Sequence, residues 1–238
     1  MRFRDREYGE FYDAQQRESG YPGALLPPVI EILNDYKTVL DIGAGTGFFT
    51  IPLLEQEHLV TAIEPATGMS AIILKKCPAE KKRNLTIIND DWENWNGTGH
   101  DAAICVHSFY PMKDRRKCIE QMCTYASKRI IIVRESSEMI TLSGQVRSRL
   151  GIELTRDYND EIKAVLKSLD AGYEQRKIVE QRTHRINDID HETDFIMFQL
   201  RLEESSREKI KSLIIELCDE AEQGYIFNAN YSDNLYIF

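Results

Sequence analysis

The sequence predicts an α/β protein: a doubly wound, mostly parallel sheet of about seven strands, with an antiparallel C-terminal strand and helical insertions. Three observations predict it. From Lys37 onward, short β-rich runs alternate with helix-length segments. The runs are almost continuous in Val, Ile and Leu, which suits strands covered on both faces. The first run ends in glycines at alternate positions, Gly43, Gly45 and Gly47, just ahead of a helical segment.

The N-terminal residues 22–34 read as a helix, with Pro27 and Pro28 in or before its first turn, where a missing N–H leaves no bond unmade. Strands are expected at 38–42, 59–64, 85–88, 102–106 and 129–133, and helices between them at 46–55, 68–77 and 114–125. Two further strands, 173–183 and 225–238, read as antiparallel additions; the second ends in Asn234-Leu235-Tyr236-Ile237-Phe238, with turn-forming residues before it. Residues 136–172 and 188–223 exceed what the alternation needs. They are expected as helical insertions, packed on the sheet edge or forming a lid over a substrate pocket. The chain thus reads as a single domain, 1–238, with an N-terminal helical cap (1–36), a core (37–135) and two insertions.

Composition narrows the function classes. The 238 residues carry 39 Asp and Glu against 30 Lys and Arg, a formal charge of −9, which argues against a protein that coats nucleic acid. At 42% hydrophobic and 29% charged, the chain is ordinary globular material. A chain of this length buries roughly 70% of its unfolded surface, enough for a real core. No run approaches a membrane span, and Met1-Arg2-Phe3-Arg4-Asp5-Arg6-Glu7 lacks the apolar stretch of an export signal, so a soluble cytoplasmic protein is expected. The cysteines (77, 105, 118, 123 and 218) show no Cys-x-x-Cys pair, and His58, His100, His184 and His191 lack ligand spacing; no metal site is expected.

The informative stretch is Val39-Leu40-Asp41-Ile42-Gly43-Ala44-Gly45-Thr46-Gly47-Phe48. Glycine tolerates positive φ and lets backbone approach a ligand closely, and a following helix N-terminus presents free N–H groups. A dinucleotide fingerprint beginning at Gly43 would need glycine where Phe48 stands. Asp41 would repel a pyrophosphate but suits an ammonium group, so a zwitterionic amino-acid tail fits better. At the end of the second strand, Glu64 of Ile63-Glu64-Pro65 can accept ribose hydroxyls. At the end of the third, Asn89-Asp90-Asp91-Trp92 offers an acceptor for an exocyclic amine and an aromatic wall.

This constellation resembles the class I, Rossmann-like S-adenosylmethionine-dependent methyltransferases over residues 37–135, and the remainder in outline. The resemblance implies S-adenosylmethionine as cofactor, its methionine moiety held by Asp41, Gly43, Ala44, Gly45 and Gly47, its ribose by Glu64, and its adenine amine by Asp90 or Asp91. Asp91 is favoured because an aromatic follows it. Pro65, Met69, Trp92, Val106 and His107 would flank the nucleoside, and Tyr12, in a segment that similar enzymes fold over the cofactor, would reach the methionine tail.

By the same resemblance the acceptor pocket opens after the fourth strand, at Val106-His107-Ser108-Phe109-Tyr110-Pro111, which lacks the Asp/Asn-Pro-Pro-Tyr of family members acting on nucleobase amines or amide nitrogens. His107, with an ordinary pKa near neutrality, is the candidate base, and Tyr110 can line the pocket. A small-molecule acceptor is the preferred partner. The alternatives are a nicotinamide-dependent oxidoreductase and a non-catalytic cofactor-binding regulator, with RNA or protein acceptors left open.

Overall fold

The computed structural model describes residues 6–135, 140–153 and 158–238, with residues 6–8 by backbone alone. The parts of the first expected insertion at 136–139 and 154–157 lie outside the described residues. In chain order the elements are α1 (Arg6–Glu18), α2 (Leu26–Leu33), β1 (Thr38–Ile42), α3 (Thr50–Glu55), β2 (Leu59–Ile63), α4 (Thr67–Lys76), β3 (Leu85–Ile88), β4 (His100–Val106), α5 (Arg115–Tyr125) and β5 (Ala126–Arg134). Then follow α6 (Leu142–Arg149), α7 (Tyr158–Ser168), β6 (Glu174–Ile186), α8 (Ile189–Leu200), α9 (Arg207–Leu217), β7 (Asp219–Glu220) and β8 (Tyr225–Ile237).

The sheet order is β3-β2-β1-β4-β5-β8-β6, with β7 paired to β8. Strands β1 to β5 are parallel, and β8 runs antiparallel to β5. The expectation that both late strands would be antiparallel additions holds for β8 alone. Because β6 and β7 each pair antiparallel with β8, they point the same way as the core strands.

Side chains alternate across the sheet with period two. Leu40, Ile42, Cys105, Ile131 and Val133 face α5 and α7, where Ile119, Met122, Ile162 and Leu166 cover them. Val39, Ile104, Ile130 and Ile132 face α2 and α3 through Val29, Leu33 and Leu53. Burial on both faces is why these strands are apolar throughout.

The two expected insertions divide by packing. Helix α7 belongs to the sheet face beside α5. Helices α6, α8 and α9 instead gather over Ile186, Phe227 and Ala229, on the far ends of β6 and β8. Those ends have no neighbour in β5, whose last paired residue, Arg134, stands opposite Asp233. The β6–β8 ribbon therefore rises past the C-terminal edge of the parallel sheet and carries the three helices with it.

Strand β1 lies between β2 and β4, so the chain leaves β1 and β4 toward opposite sides. That switch of direction opens a crevice at the C-terminal ends of the two strands, where open α/β sheets bind ligands. The residues at its mouth are Gly43 and His107.

Candidate active site

Gly43, Gly45 and Gly47 all have positive φ, at 70°, 57° and 85°. The N–H groups of Gly43 and Ala44 both donate to the Ile63 carbonyl, 2.8 and 3.1 Å away, tying the turn to the end of β2. A Cβ at Gly43 would lie 2.3 Å from Ser108 Cβ, so the two crevice walls touch through a residue that must lack a side chain. At Gly45 a Cβ would meet nothing within 4 Å: this peptide faces open space. The left-handed run also delays the helix. It begins at Thr50 rather than at the expected 46, so its N-terminus stands back from the turn.

Glu64 locks the turn from below. One carboxylate oxygen accepts Gly45 N–H and the other Ala66 N–H, each at 2.8 Å. Burial pushes this carboxyl up and the nearby Asp91 charge adds to it, while the two N–H groups pull it back. A carboxylate has about four lone-pair sites, so two remain for another donor. Asp41 is buried, accepts the Thr50 hydroxyl at 2.6 Å, and is pushed up to about 6, chiefly by burial.

At the end of β3 the two acids separate by role. Asp90 accepts Asp91 N–H and the Asn94 amide, each at 2.8 Å, and so is used in a turn. The Asp91 carboxylate is exposed, and among the described residues it accepts no hydrogen bond. Trp92 requires a correction. It is 3% exposed, with its indole donating to the Cys118 carbonyl at 3.2 Å and its ring edge-on to Tyr125. It is a core residue facing α5 and forms no wall of the crevice, because the 3-10 turn beginning at Trp92 rotates it inward. Met69 and Val106 are nearly buried beside the crevice, and Pro65 is exposed at its rim.

His107 follows β4 in a left-handed conformation, φ 55°, which is uncommon for a non-glycine residue although His is among those that tolerate it. Its Nδ1 lies 3.2 Å from Tyr110 Oη, which also accepts Arg134 N–H at 2.9 Å. His107 Nε2 lies 3.7 Å from Asp233 Oδ1, and the ring tautomer sets which group donates between Nδ1 and the Tyr110 hydroxyl. Burial, then the charges of Arg134 and Arg182, hold the imidazole well below its ordinary range. Burial pushes the Tyr110 hydroxyl up. The structure thus brings both candidate catalytic residues together as a buried, neutral, hydrogen-bonded pair.

Reading the sequence missed several residues at this end. The Arg182 and Arg134 guanidinium groups lie 4.9 and 4.6 Å from the Tyr231 ring centroid. Arg182 also bonds Glu180 and the Pro22 carbonyl and lies 5.2 Å from the Tyr21 ring, which anchors the segment before α2. Asp233 is 2% exposed, as are Ser232 and Asn234. The signal was present: three successive polar residues, Ser232, Asp233 and Asn234, directly before the apolar Leu235-Tyr236-Ile237.

Helix α1 closes the crevice from above. Asp13, 3% exposed, accepts Lys76 Nζ at 2.8 Å, and the same ammonium reaches the Thr46 carbonyl at 3.0 Å and covers the Phe48 ring. The half-buried Tyr12 lies near enough to Tyr21 to help raise its hydroxyl, after the larger effect of burial. Beyond α1 is a cavity of about 240 Å³, walled by Gln15 of α1 and Ser19 just after it, Leu142 at the start of α6, Glu192 and Phe195 of α8, Tyr231 of the ribbon and Arg134 at the end of β5.

Residues 39–128 match a family model described as methyltransferase domain. Over these residues the chain is similar to methyltransferase domains. An uncharacterized methyltransferase of Oceanobacillus iheyensis is 33% identical over 95 residues, covering 39% of this chain and 41% of that protein. A probable ribosomal RNA small subunit methyltransferase A of Methanosphaera stadtmanae is 37% identical over 59 residues, 25% of this chain and 22% of that protein. The chain spans less than half the length of the first curated relatives it matches, 43% and 41%. Among solved structures, a protein described as a methyltransferase from an antibiotic biosynthesis pathway of Anabaena variabilis superposes with a TM-score of 0.62 at 14% identity, over 89% of this chain and 95% of that one. The chain has, among its described residues, no group of three or more His, Cys, Asp or Glu placed to hold a metal, and no helix long and apolar enough to cross a membrane.

Proposed function

We propose that the chain transfers a methyl group from S-adenosylmethionine to a small-molecule acceptor. One observation carries the reading: Glu64 joins the glycine turn to the end of β2 through Gly45 and Ala66, so the turn and the second-strand acid form one rigid unit at the switch between β1 and β4. The residues present fit the cofactor. Open space in front of Gly45, the remaining lone pairs of Glu64 and the exposed Asp91 carboxylate follow one another along the strand ends, as amino-acid tail, ribose and adenine would. Asp41, Gly43, Ala44, Gly45 and Gly47 would hold the tail, with Tyr12 above it; Glu64 the ribose; Asp91 the amine; and Pro65, Met69 and Val106 the flanks.

When bound, S-adenosylmethionine supplies a sulfonium methyl group that passes to an attacking lone pair, leaving the carbon–sulfur electron pair on sulfur. The protein's share is to orient the acceptor and exclude water. His107 and Tyr110 sit where the acceptor would enter, yet neither is poised to take a proton: His107 Nδ1 already faces the Tyr110 hydroxyl. We read them as positioning and desolvating groups, which favours an acceptor already nucleophilic at neutral pH. A small molecule, rather than RNA, is supported by the −9 charge and by the roof that α1 and α8 make over the cavity.

Calorimetric titration with S-adenosylmethionine, S-adenosylhomocysteine and NAD tests the reading. The two adenosyl compounds should bind and NAD should not. Glu64→Ala removes a charged hydrogen-bond partner, each such bond contributing about 1.5–3 kcal/mol, so affinity for S-adenosylhomocysteine should fall about tenfold or more. Binding of NAD alone, or unchanged affinity in folded Glu64→Ala protein, would refute it.

A further inference from the structure

We propose that two copies of this chain pair through the outer edge of β6, antiparallel about a two-fold axis at Ile178, so that their sheets join into one. The proposal stands apart from the methyl-transfer reading, since β5 and β8 separate β6 from the crevice at β1 and β4.

Hydrogen-bond phase defines the edge. Strand β6 ends the sheet, and among the described residues no strand pairs with its outer side. In an antiparallel ladder, alternate residues turn their N–H and C=O groups to opposite sides. Arg129 and Phe238 exchange both bonds at 3.0 Å, and Glu135 N–H reaches the Ser232 carbonyl at 2.8 Å. The even-numbered residues of β8 therefore face β5, and its odd-numbered residues face β6. Their partners there are Glu174, Arg176 and Ile178, opposite Ile237, Leu235 and Asp233. Gln175, Lys177, Val179, Gln181 and Thr183 thus turn their backbone away from β8. Such an edge, on a strand of 13 residues, is a template for a further strand. Near its middle Val179 is 65% exposed, the highest value among the large apolar side chains described.

The side chains choose the occupant. About a two-fold axis, residues equally far on either side of the central one stand opposite each other. With the axis at Ile178, Arg176 meets Glu180 of the second copy and Glu174 meets its Arg182. Like charges directly opposite destabilise a sheet, and of the axes from 176 to 182 this one alone avoids them. Axes at 176, 177, 180 and 182 oppose Arg176, Lys177, Glu180 and Arg182 each to itself. An axis at 179 sets Arg176 against Arg182, and one at 181 sets Lys177 against Arg185. A strand from an unrelated protein would call for no such self-complementary order.

The axis at Ile178 also puts the opposite charges at even positions, the non-hydrogen-bonded pairs, whose Cα atoms approach to about 4.5 Å. The Arg176 side chain is 41% exposed, with Glu174 of its own strand 2.6 Å away on one flank. The pairing adds Glu180 on the other. That carboxylate accepts Arg182 on one oxygen and Ala24 N–H, at 3.1 Å, on the second, which leaves lone pairs for a further donor. Because Arg182 is buried beneath the Pro22 carbonyl, the pairs that contribute are the two Arg176–Glu180 contacts, one on each side of Ile178. Val179 then stands opposite Lys177, whose methylene stem covers it.

Sedimentation velocity of the whole chain over a concentration series is the test. A dimer should form with a dissociation constant of about 100 μM or tighter. Val179→Pro removes an outward N–H without breaking the ladder to β8, and Arg176→Glu sets two pairs of like charges opposite each other. Each should weaken the dimer about tenfold or more, with circular dichroism unchanged. Under mild oxidation Ile178→Cys should cross-link to itself across the axis faster than Val179→Cys does, although Val179 is the more exposed. A chain that stays monomeric at about 100 μM, a dimer of unchanged affinity in Arg176→Glu, or faster cross-linking in Val179→Cys would overturn the proposal.

Discussion

Gly43→Ala is the sharpest perturbation the structure offers. At φ 70° an alanine is in the left-handed region, which costs about 1–2 kcal/mol. Its Cβ would also fall 2.3 Å from Ser108 Cβ, and Ser108 cannot yield by rotating, because a Cβ position is fixed by its own backbone. That backbone follows His107, itself at φ 55°. Forcing the walls apart is an overpacking penalty of about 1–3 kcal/mol, so the total is about 2–5 kcal/mol. Gly45→Ala supplies the control: its φ is 57°, its Cβ meets nothing, and it should cost only the conformational part. Removing the opposing atom with Ser108→Gly should rescue Gly43→Ala, since the next contact, Ser108 Cα, lies at an ordinary 3.6 Å. Ser108→Gly has its own cost, the lost bond from Ser108 Oγ to the Ile42 carbonyl, so the comparison is a double-mutant cycle with an expected coupling of about 1–3 kcal/mol. Urea unfolding followed by circular dichroism measures all four proteins. Equal midpoints for Gly43→Ala and Gly45→Ala, or a coupling of zero, would refute the claim that the crevice walls meet at Gly43.

Other outcomes follow from single groups. Burial pushes the Asp41 carboxyl up to about 6 in the folded chain against an ordinary 3.8, so the protonated form is the one that folding favours. Its stabilising contribution is therefore complete below about pH 4 and is lost as pH rises through 6, a difference of about 3 kcal/mol at 1.36 kcal/mol per unit. Asp41→Asn keeps an oxygen for the Thr50 hydroxyl and should flatten the urea midpoint between pH 4 and 7, while weakening S-adenosylhomocysteine; an unaltered pH profile would count against the assignment. Trp92→Phe should lose about 1–3 kcal/mol of stability through the bond to Cys118 and the packing on Tyr125, with no change in S-adenosylhomocysteine affinity by calorimetry. A tenfold loss of affinity in that variant would return Trp92 to the crevice.

Much of the core was legible because local and tertiary demands coincide there. Strands β1 to β5 are buried on both faces, so their composition alone marks them. The glycine turn was legible because positive φ at Gly43, Gly45 and Gly47 leaves few other residue types possible. Asp91 was favoured over Asp90 for its aromatic neighbour; what separates the two acids in the structure is instead that Asp90 is spent on a turn. Trp92 was misread because a sequence gives a side chain's neighbours but not the direction in which a 3-10 turn aims it.

The sequence by itself determined the alternation of strands and helices, the turn at the end of β1 and the acids at the ends of the next two strands, since each depends on residues close in the chain. Tertiary structure alone decided the rest. Arg134, Arg182, Tyr231 and Asp233 come from three strands that meet because β8 inserts between β5 and β6. Helices α1, α6 and α8 share a cavity because the β6–β8 ribbon extends past the parallel edge. Pairings across such separations are fixed by sheet register and by burial of faces that no local window contains, and so the glycine turn and its acids can be read from the residues while the cavity beside them needs the fold.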